Sequence, residues 1–400
     1  QGPNPTLGIP KIHGLLRTEY PSWTVSEKRT RKALQALGLL VAPVPHPSSN
    51  LIEDLNIEKW TPRVEVRYFD KKKGKGLVAK QKIKTGETVW TEDPFIIAPE
   101  WEIYDKQRNA TACSLCTTLF AHPSDVRLRC EHCPAKFCST LCRKRAEKTH
   151  PLLCAAQNPA SMPLLRWMRE REWMALHALV QCTARMLLAA AAGDAPLAAD
   201  WRIVRSFAEL GMEERAKYSF KSEPDRETWK TAFEMYCHAF HRPAHDENTK
   251  KLTDEEKKVA AILKKTLPAD IETALFDYDK GFLRGLGRMS LNIEAHGGLY
   301  TLHSHLNHSC APNISVRHLD QRKALSRITL KATQGIEPGQ ELLITYVNPQ
   351  AGYAERRNAL EAWGFMCQCP RCVEEAKHYK EPEGGIDDLA SELKAGLGVM

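Results

Sequence analysis

The chain has 400 residues, 42% apolar and 26% charged, with a formal net charge of +8. That length supports two or three domains with a real hydrophobic core, and the composition is that of an ordinary globular chain, not of a disordered or collagenous one. No charged-then-apolar leader opens it, and the longest apolar run, around Met186–Ala192, is too short for a bilayer and is flanked by Arg185 and Asp194, so no membrane association is expected.

Gln1-Gly2-Pro3 carry no initiator methionine, as in a processed or trimmed chain. The stretch "PSWTVSEKRTRKALQALGLL" reads as a basic surface helix, with Ser26 or Thr24 as N-cap and Gly38 near its stop. Pro43, Pro45 and Pro47 then make a linker. From Val64 the pattern shifts to short strands around glycine turns: "VEVRYF", "GLVAKQKI" and "ETVWTEDPFII". Lys71, Lys72, Lys73, Lys75, Lys80, Lys82 and Lys84 crowd this region, and Arg143, Lys144, Arg145 and Lys148 crowd a second. Either run suits a nucleic-acid or chromatin surface, or simply a solvated basic face.

Residues 113–154 carry Cys113-x2-Cys116, Cys130-x2-Cys133, Cys138-x3-Cys142 and His150-x3-Cys154, eight candidate ligands in about forty residues. Tetrahedral zinc takes four ligands per ion, so two zincs account for every cysteine in the segment. His132 is the alternative histidine; His150 completes the regular pair spacing. Thirteen cysteines without a leader, several at such spacings, point to zinc and a reducing intracellular compartment, nucleus or cytoplasm, over a disulfide scaffold.

Residues 155 to about 285 are mostly helical in pattern, with an acid- and lysine-rich surface segment near 244–258. Cys182 and Cys237 fall at apolar helical positions and read as core residues. Strand-like pieces return as "GLYTL", "NISVRHL", "ALSRITLKA" and "ELLITYV", so the β-rich stretches at 63–100 and 297–347 are either two domains or one domain interrupted by insertions. Between them lies "LNHSCAPNIS". Asn307 and Asn313 each fit a glycosylation acceptor, a weak sign in a reducing compartment, and His308 beside Cys310 could also be a nucleophile and its base or two metal ligands. Cys367, Cys369 and Cys372 offer three thiolates, one short of a closed site, and Cys310 is the best fourth.

The three cysteine pairs followed by His-x3-Cys resemble a MYND finger. A RING finger is the nearest rival, with its ubiquitin-ligase function, but its histidine falls nearer the middle ligands. "GKGLVA", "NHSCAPN", "GQELLITY" and the Cys-x-Cys-x2-Cys tail, in this order over roughly residues 63–375, resemble the SET–MYND (SMYD) lysine methyltransferases, and within them the shorter fungal branch.

The resemblance implies an α+β fold, a SET-domain β-fold split by a MYND double-zinc finger and a helical insert and closed by a zinc-bound post-SET segment. Its divisions would be 1–62 N-terminal region, 63–112 first SET part, 113–154 finger, 155–284 insert, 285–350 core SET, 351–380 post-SET and 381–400 tail. The family interleaves its finger pairs, which implies Cys113, Cys116, Cys138 and Cys142 on one zinc and Cys130, Cys133, His150 and Cys154 on a second. A third zinc would sit on Cys310, Cys367, Cys369 and Cys372.

Carried over residue by residue, Lys75, Gly76, Leu77, Asn307, His308, Tyr346 and Phe365 would line a pocket for S-adenosylmethionine. Tyr346 would be the catalytic tyrosine and Tyr346 with Trp363 the lysine channel; no cysteine nucleophile is needed. Trp363 replaces a tyrosine common in animal members, which leans towards monomethylation. A second cofactor asparagine falls on Asn292 or is replaced by Met289. The implied partners are a protein lysine, in the first place of a histone tail, and a proline-rich peptide or DNA at the finger, with the chain a monomer. The competing reading is an adaptor whose finger binds partners while the SET fold is inactive.

Overall fold

The computed structural model describes residues 9–22, 24–36, 46–219, 224–241, 252–318 and 326–379. Residues 1–45 form one unit and 46–400 another. The first contains helices Ile9–Glu19 and Glu27–Ala36. Ser26 caps the second by accepting from the Arg29 amide at 3.3 Å. The helix Ile9–Glu19 is additional to the elements expected from the sequence, and Gly38, Pro43 and Pro45 lie outside the described residues.

In the second unit the strands are β1 (Val64–Asp70), β2 (Gly74–Ala79), β3 (Thr88–Glu92), β4 (Ile96–Ile97), β5 (Leu128–Arg129), β6 (Lys136–Phe137), β7 (Gly298–Leu299), β8 (Asn307–His308), β9 (Ile314–Arg317), β10 (Ile328–Ala332) and β11 (Glu341–Ile344). β2 pairs with β11, β3 with β10 and β4 with β7, all antiparallel. Each pairing joins a strand of the first β-rich stretch to one of the second, so the two stretches build one interrupted β unit. Its sheets run β1-β2-β11-β8 and β3-β10-β9. β2 is covered on both faces and buried throughout, as a central strand with a near-continuous apolar run should be. The run "ETVWTEDPFII" breaks into β3 and β4 around Pro94, which has no N–H for a ladder.

Between the β halves lie a small hairpin, β5–β6, and a helical block. Helix Met174–Ala192 has the length and hydropathy of a membrane span, but 67% of that window is buried inside the molecule. The apolar run around Met186–Ala192 is thus the end of a core helix, packed by Leu176, Leu179, Val180, Cys182 and Leu187. Helix Leu283–Asn292 crosses it and presents Gly287 to the chain at Leu210. A Cβ on Gly287 would lie 1.8 Å from the Leu210 carbonyl oxygen, so only glycine permits this approach.

Candidate active site and metal clusters

The turn into β2 is set by Asp70, whose carboxylate accepts from the Lys72 and Lys73 amides, both at 2.7 Å, and by Gly74 at φ +70°. Lys75 then enters the interior at 3% exposure. Its ammonium donates to the Ser206 carbonyl at 2.6 Å, and burial pulls its pKa down to about 7. No carboxylate pairs with it among the described residues. The lysine run is therefore not one basic face: Lys75 is internal, Lys73 pairs with Glu341 and Lys82 with Glu337. Gly76 leaves room for Asn307, whose Nδ2 would lie 2.9 Å from a Cβ at that position. That Nδ2 donates to the Lys75 carbonyl and to Glu341 Oε1, each at 2.9 Å. Leu77 is wholly buried in the β core, so only its backbone is left to face a ligand.

β8 lies parallel to β11, with Asn307 opposite Leu343 and His308 opposite Ile344. The Ser309 amide donates to the Ile344 carbonyl at 2.8 Å. Asn313 extends the match with its side chain, donating to the Glu341 carbonyl at 2.8 Å and accepting from the Leu343 amide at 2.7 Å. Both asparagines of the apparent glycosylation sites thus have their amides engaged inside the fold.

Two residues past β11, Tyr346 donates its hydroxyl to the Leu306 carbonyl at 2.6 Å, and its amide donates to His308 Nδ1 at 3.0 Å. Burial, helped by the charge of Glu341, raises the phenol above its ordinary range, so it stays protonated at neutral pH. The Tyr346 ring lies 4.6 Å from Trp363 and 5.3 Å from His308, and Phe365 sits 5.9 Å from His308. Gly364, at φ +76°, turns the chain between the last two aromatics. Burial, then the nearby Arg356 cation, holds the His308 imidazole down at about 4, hence neutral.

The cysteines gather in three groups of four: Cys113, Cys116, Cys138 and Cys142; Cys130, Cys133, His150 and Cys154; Cys310, Cys367, Cys369 and Cys372. Within each group the ligand atoms all lie within 4.8 Å of one another. Sulfurs sit 3.4 Å apart for Cys116 and Cys138, 3.5 Å for Cys138 and Cys142, and 3.4 Å for Cys310 and Cys372. A tetrahedron with Zn–S bonds of about 2.3 Å has edges of about 3.8 Å, close to these values, while a disulfide needs about 2.05 Å. The donor sets fit zinc. His132 turns instead towards Glu255, 3.6 Å away.

Several supporting residues carried no sequence signal. Arg356, 1% exposed, lies 4.0 Å from Cys372 Sγ, pairs with Glu375 and donates to the Ala351 carbonyl at 2.5 Å. Four thiolates closed on one zinc would carry a net negative charge, and this guanidinium would be its buried counter-charge. Arg356→Met is expected to cost about 3–5 kcal/mol of stability, as removal of one partner from a buried ionic cluster does, read by chemical denaturation together with faster zinc release from one cluster. Arg371 donates to the carbonyls of Cys310 and Pro349 at 3.1 and 2.6 Å. From the helical block Arg215 reaches the Ala362 carbonyl at 3.0 Å, beside Trp363. Asn292 is engaged with the backbone of Ala208, donating at 2.7 Å and accepting at 3.1 Å, while Met289 is buried in the helical core. Neither residue has a free polar group for a cofactor. The segment around Ser206 and Ala208 is thus pinned from both sides, by Lys75 and by Asn292.

The family model of the SET domain matches residues 74–347. Histone-lysine N-methyltransferase SET5 of Yarrowia lipolytica is 30% identical over 400 residues, spanning 96% of this chain and 81% of that protein. The protein of the same name from Mycosarcoma maydis is 31% identical, over 76% of this chain and 66% of its own. That from Scheffersomyces stipitis is 28% identical, over 93% and 77%. The matched region begins at the glycine turn and ends one residue past Tyr346, so it encloses the β2, β8 and β11 parts of the site, while Trp363, Phe365 and Cys367, Cys369 and Cys372 follow it. This chain belongs to the SET-domain family and is an S-adenosylmethionine-dependent protein-lysine methyltransferase.

Proposed function

We propose that the chain methylates a histone lysine in the nucleus, as a SET–MYND-type enzyme holding three zinc ions, one in each four-ligand cluster. The observation that carries this reading is the convergence of the glycine turn, the β8–β11 pairing and Tyr346 beside the third cluster. The relatives' shared name supports the histone substrate.

Bound S-adenosylmethionine supplies a methyl group on a cationic sulfur, which a lysine nitrogen displaces in line. Lys75 fits that cofactor's carboxylate, being a buried ammonium with a carbonyl as its bonded partner. Catalysis is otherwise positioning and electrostatics. A free lysine near pH 7 needs about 4–5 kcal/mol to be presented neutral. The aromatic group of Tyr346, Trp363 and Phe365 lowers that cost by desolvating the ammonium. Tyr346 commits its proton to Leu306, so its oxygen lone pairs are left to accept from the incoming amine and aim it. The bulk of Trp363 against Tyr346 limits the methylated product, which favours monomethylation.

The 113–154 segment is read as a MYND finger. Arg129 stands directly opposite Lys136 on β5–β6, and like charges in that position repel unless an anion meets them. This favours DNA over a proline-rich peptide as the finger's partner.

Gly76→Ala sets a Cβ against the Phe69 ring, Asn307 Nδ2 and Glu341 Oε1 and, by disturbing the Asn307 amide, is expected to weaken cofactor binding about 10–100-fold, as loss of an oriented amide worth about 1–3 kcal/mol would. Calorimetric titration with S-adenosylmethionine checks it, and unchanged affinity would remove Gly76 from the pocket. The reading as a whole is tested by incubating the protein with methyl-labelled cofactor and core histones. Label on a histone is expected; measurable cofactor binding with no label on any histone or lysate protein would favour the adaptor.

A further inference from the structure

We propose that His308 is a positioning residue joining the third cysteine cluster to the backbone of Tyr346, so that the state of that cluster sets the rate of methyl transfer more than the affinity for cofactor. The inference rests on the reading of that cluster as a zinc site and of Tyr346 as the active-site tyrosine.

Both ring nitrogens are committed. The Tyr346 amide donates to Nδ1 at 3.0 Å, which requires a lone pair there. The proton of the neutral ring is then on Nε2, which lies 3.2 Å from Cys310 Sγ. One tautomer satisfies both contacts, with a sulfur accepting from Nε2–H and a backbone amide donating to Nδ1. The ring has no nitrogen left for a cofactor, so His308 reaches that pocket through its backbone alone. β8 holds the ring in register, with His308 opposite Ile344, two residues before Tyr346. Tyr346 is therefore anchored at its hydroxyl by Leu306 and at its amide by His308, and the second anchor ends on a zinc ligand. Displacement of Cys310 would pass through a rigid ring to the tyrosine. Partners of metal ligands act in this way, orienting the ligand and being oriented by it.

Two variants separate the two bonds. His308→Asn puts an acceptor near the place of Nδ1 and loses the contact with sulfur. His308→Gln puts a donor near the place of Nε2 and loses the contact with Tyr346. Both are expected to lower the single-turnover methylation rate about 10–100-fold, the range for residues that orient metal ligands, with the dissociation constant for S-adenosylmethionine changed by less than about three-fold. Zinc release to a chromogenic chelator should quicken for one of three ions in His308→Asn and stay as in the wild type in His308→Gln. A rise in the cofactor dissociation constant that accounts for the whole loss would make the ring a cofactor ligand and overturn the proposal. So would unchanged zinc release in His308→Asn. The release measurement needs no methyl transfer, so a wild-type protein inert on histones would sink the substrate reading alone.

Discussion

Cys310→Ala is expected to reduce the zinc content from three ions to two per chain and to lower methyl transfer by at least about 10²–10³-fold, the loss seen when one oriented group leaves an active site. Structural zinc contributes about 10–16 kcal/mol of apparent binding energy in small modules, and the segment it holds here has little else. Among the described residues, only Leu360 is a fully buried apolar partner of Cys310 and Cys372, with Tyr346, Val347, Tyr353, Trp363 and Phe365 packed at its margin. With three thiolates the site is no longer closed, and the aromatic turn at Gly364 loses its support. The bonds of Arg371 to Cys310 and Pro349 run through carbonyls and survive the substitution, which is why misplacement rather than unfolding is expected. The other two clusters lie in a separate core with Phe137 and Ala146 and should keep their metal. Elemental analysis per chain decides: three ions in the variant would break the assignment.

Tyr346→Phe should lower kcat about 10²–10³-fold while leaving cofactor affinity within a few-fold. The phenyl ring keeps its packing on Trp363 and His308, and the backbone bond to His308 is untouched. What goes is the hydroxyl that donates to Leu306 and, in the proposed mechanism, receives the amine. Because burial holds the phenol protonated well above neutral pH, no basic limb from Tyr346 is expected in the pH–rate profile between about 6 and 9. A variant with wild-type kcat would remove Tyr346 from the amine's path, and a basic limb that disappears with the hydroxyl would contradict the protonated phenol.

The zinc-type clusters were legible because ligand chemistry is local: pairs two or three residues apart announce themselves, and only the interleaving had to come from family resemblance. The β-rich stretches were legible as strands, but not their pairing. β8 is two polar residues, Asn307 and His308, with no alternation to betray a strand, and its parallel partner lies 36 residues later at β11. The supports of the site were illegible for the same reason. Lys75 with Ser206, Asn292 with Ala208, Arg215 with Ala362 and Arg356 with Cys372 join places that only the tertiary fold brings together. By composition Lys75 is one lysine of a basic run, and only the family resemblance set it in the pocket; nothing in the sequence singled out Arg356. Both turn out to be buried: Lys75 has no carboxylate partner among the described residues, and Arg356 is shared between Glu375 and the third cluster.

A lysine ε-nitrogen presented at Tyr346 is the expected methyl acceptor. Core histones incubated with the wild-type protein and S-adenosylmethionine, then digested and sequenced by tandem mass spectrometry, should show one added methyl on the ε-nitrogen of a lysine. The same site should be unmodified after incubation with Tyr346→Phe. Methylation that persists undiminished in that variant, or that falls on a residue other than lysine, would contradict that expectation.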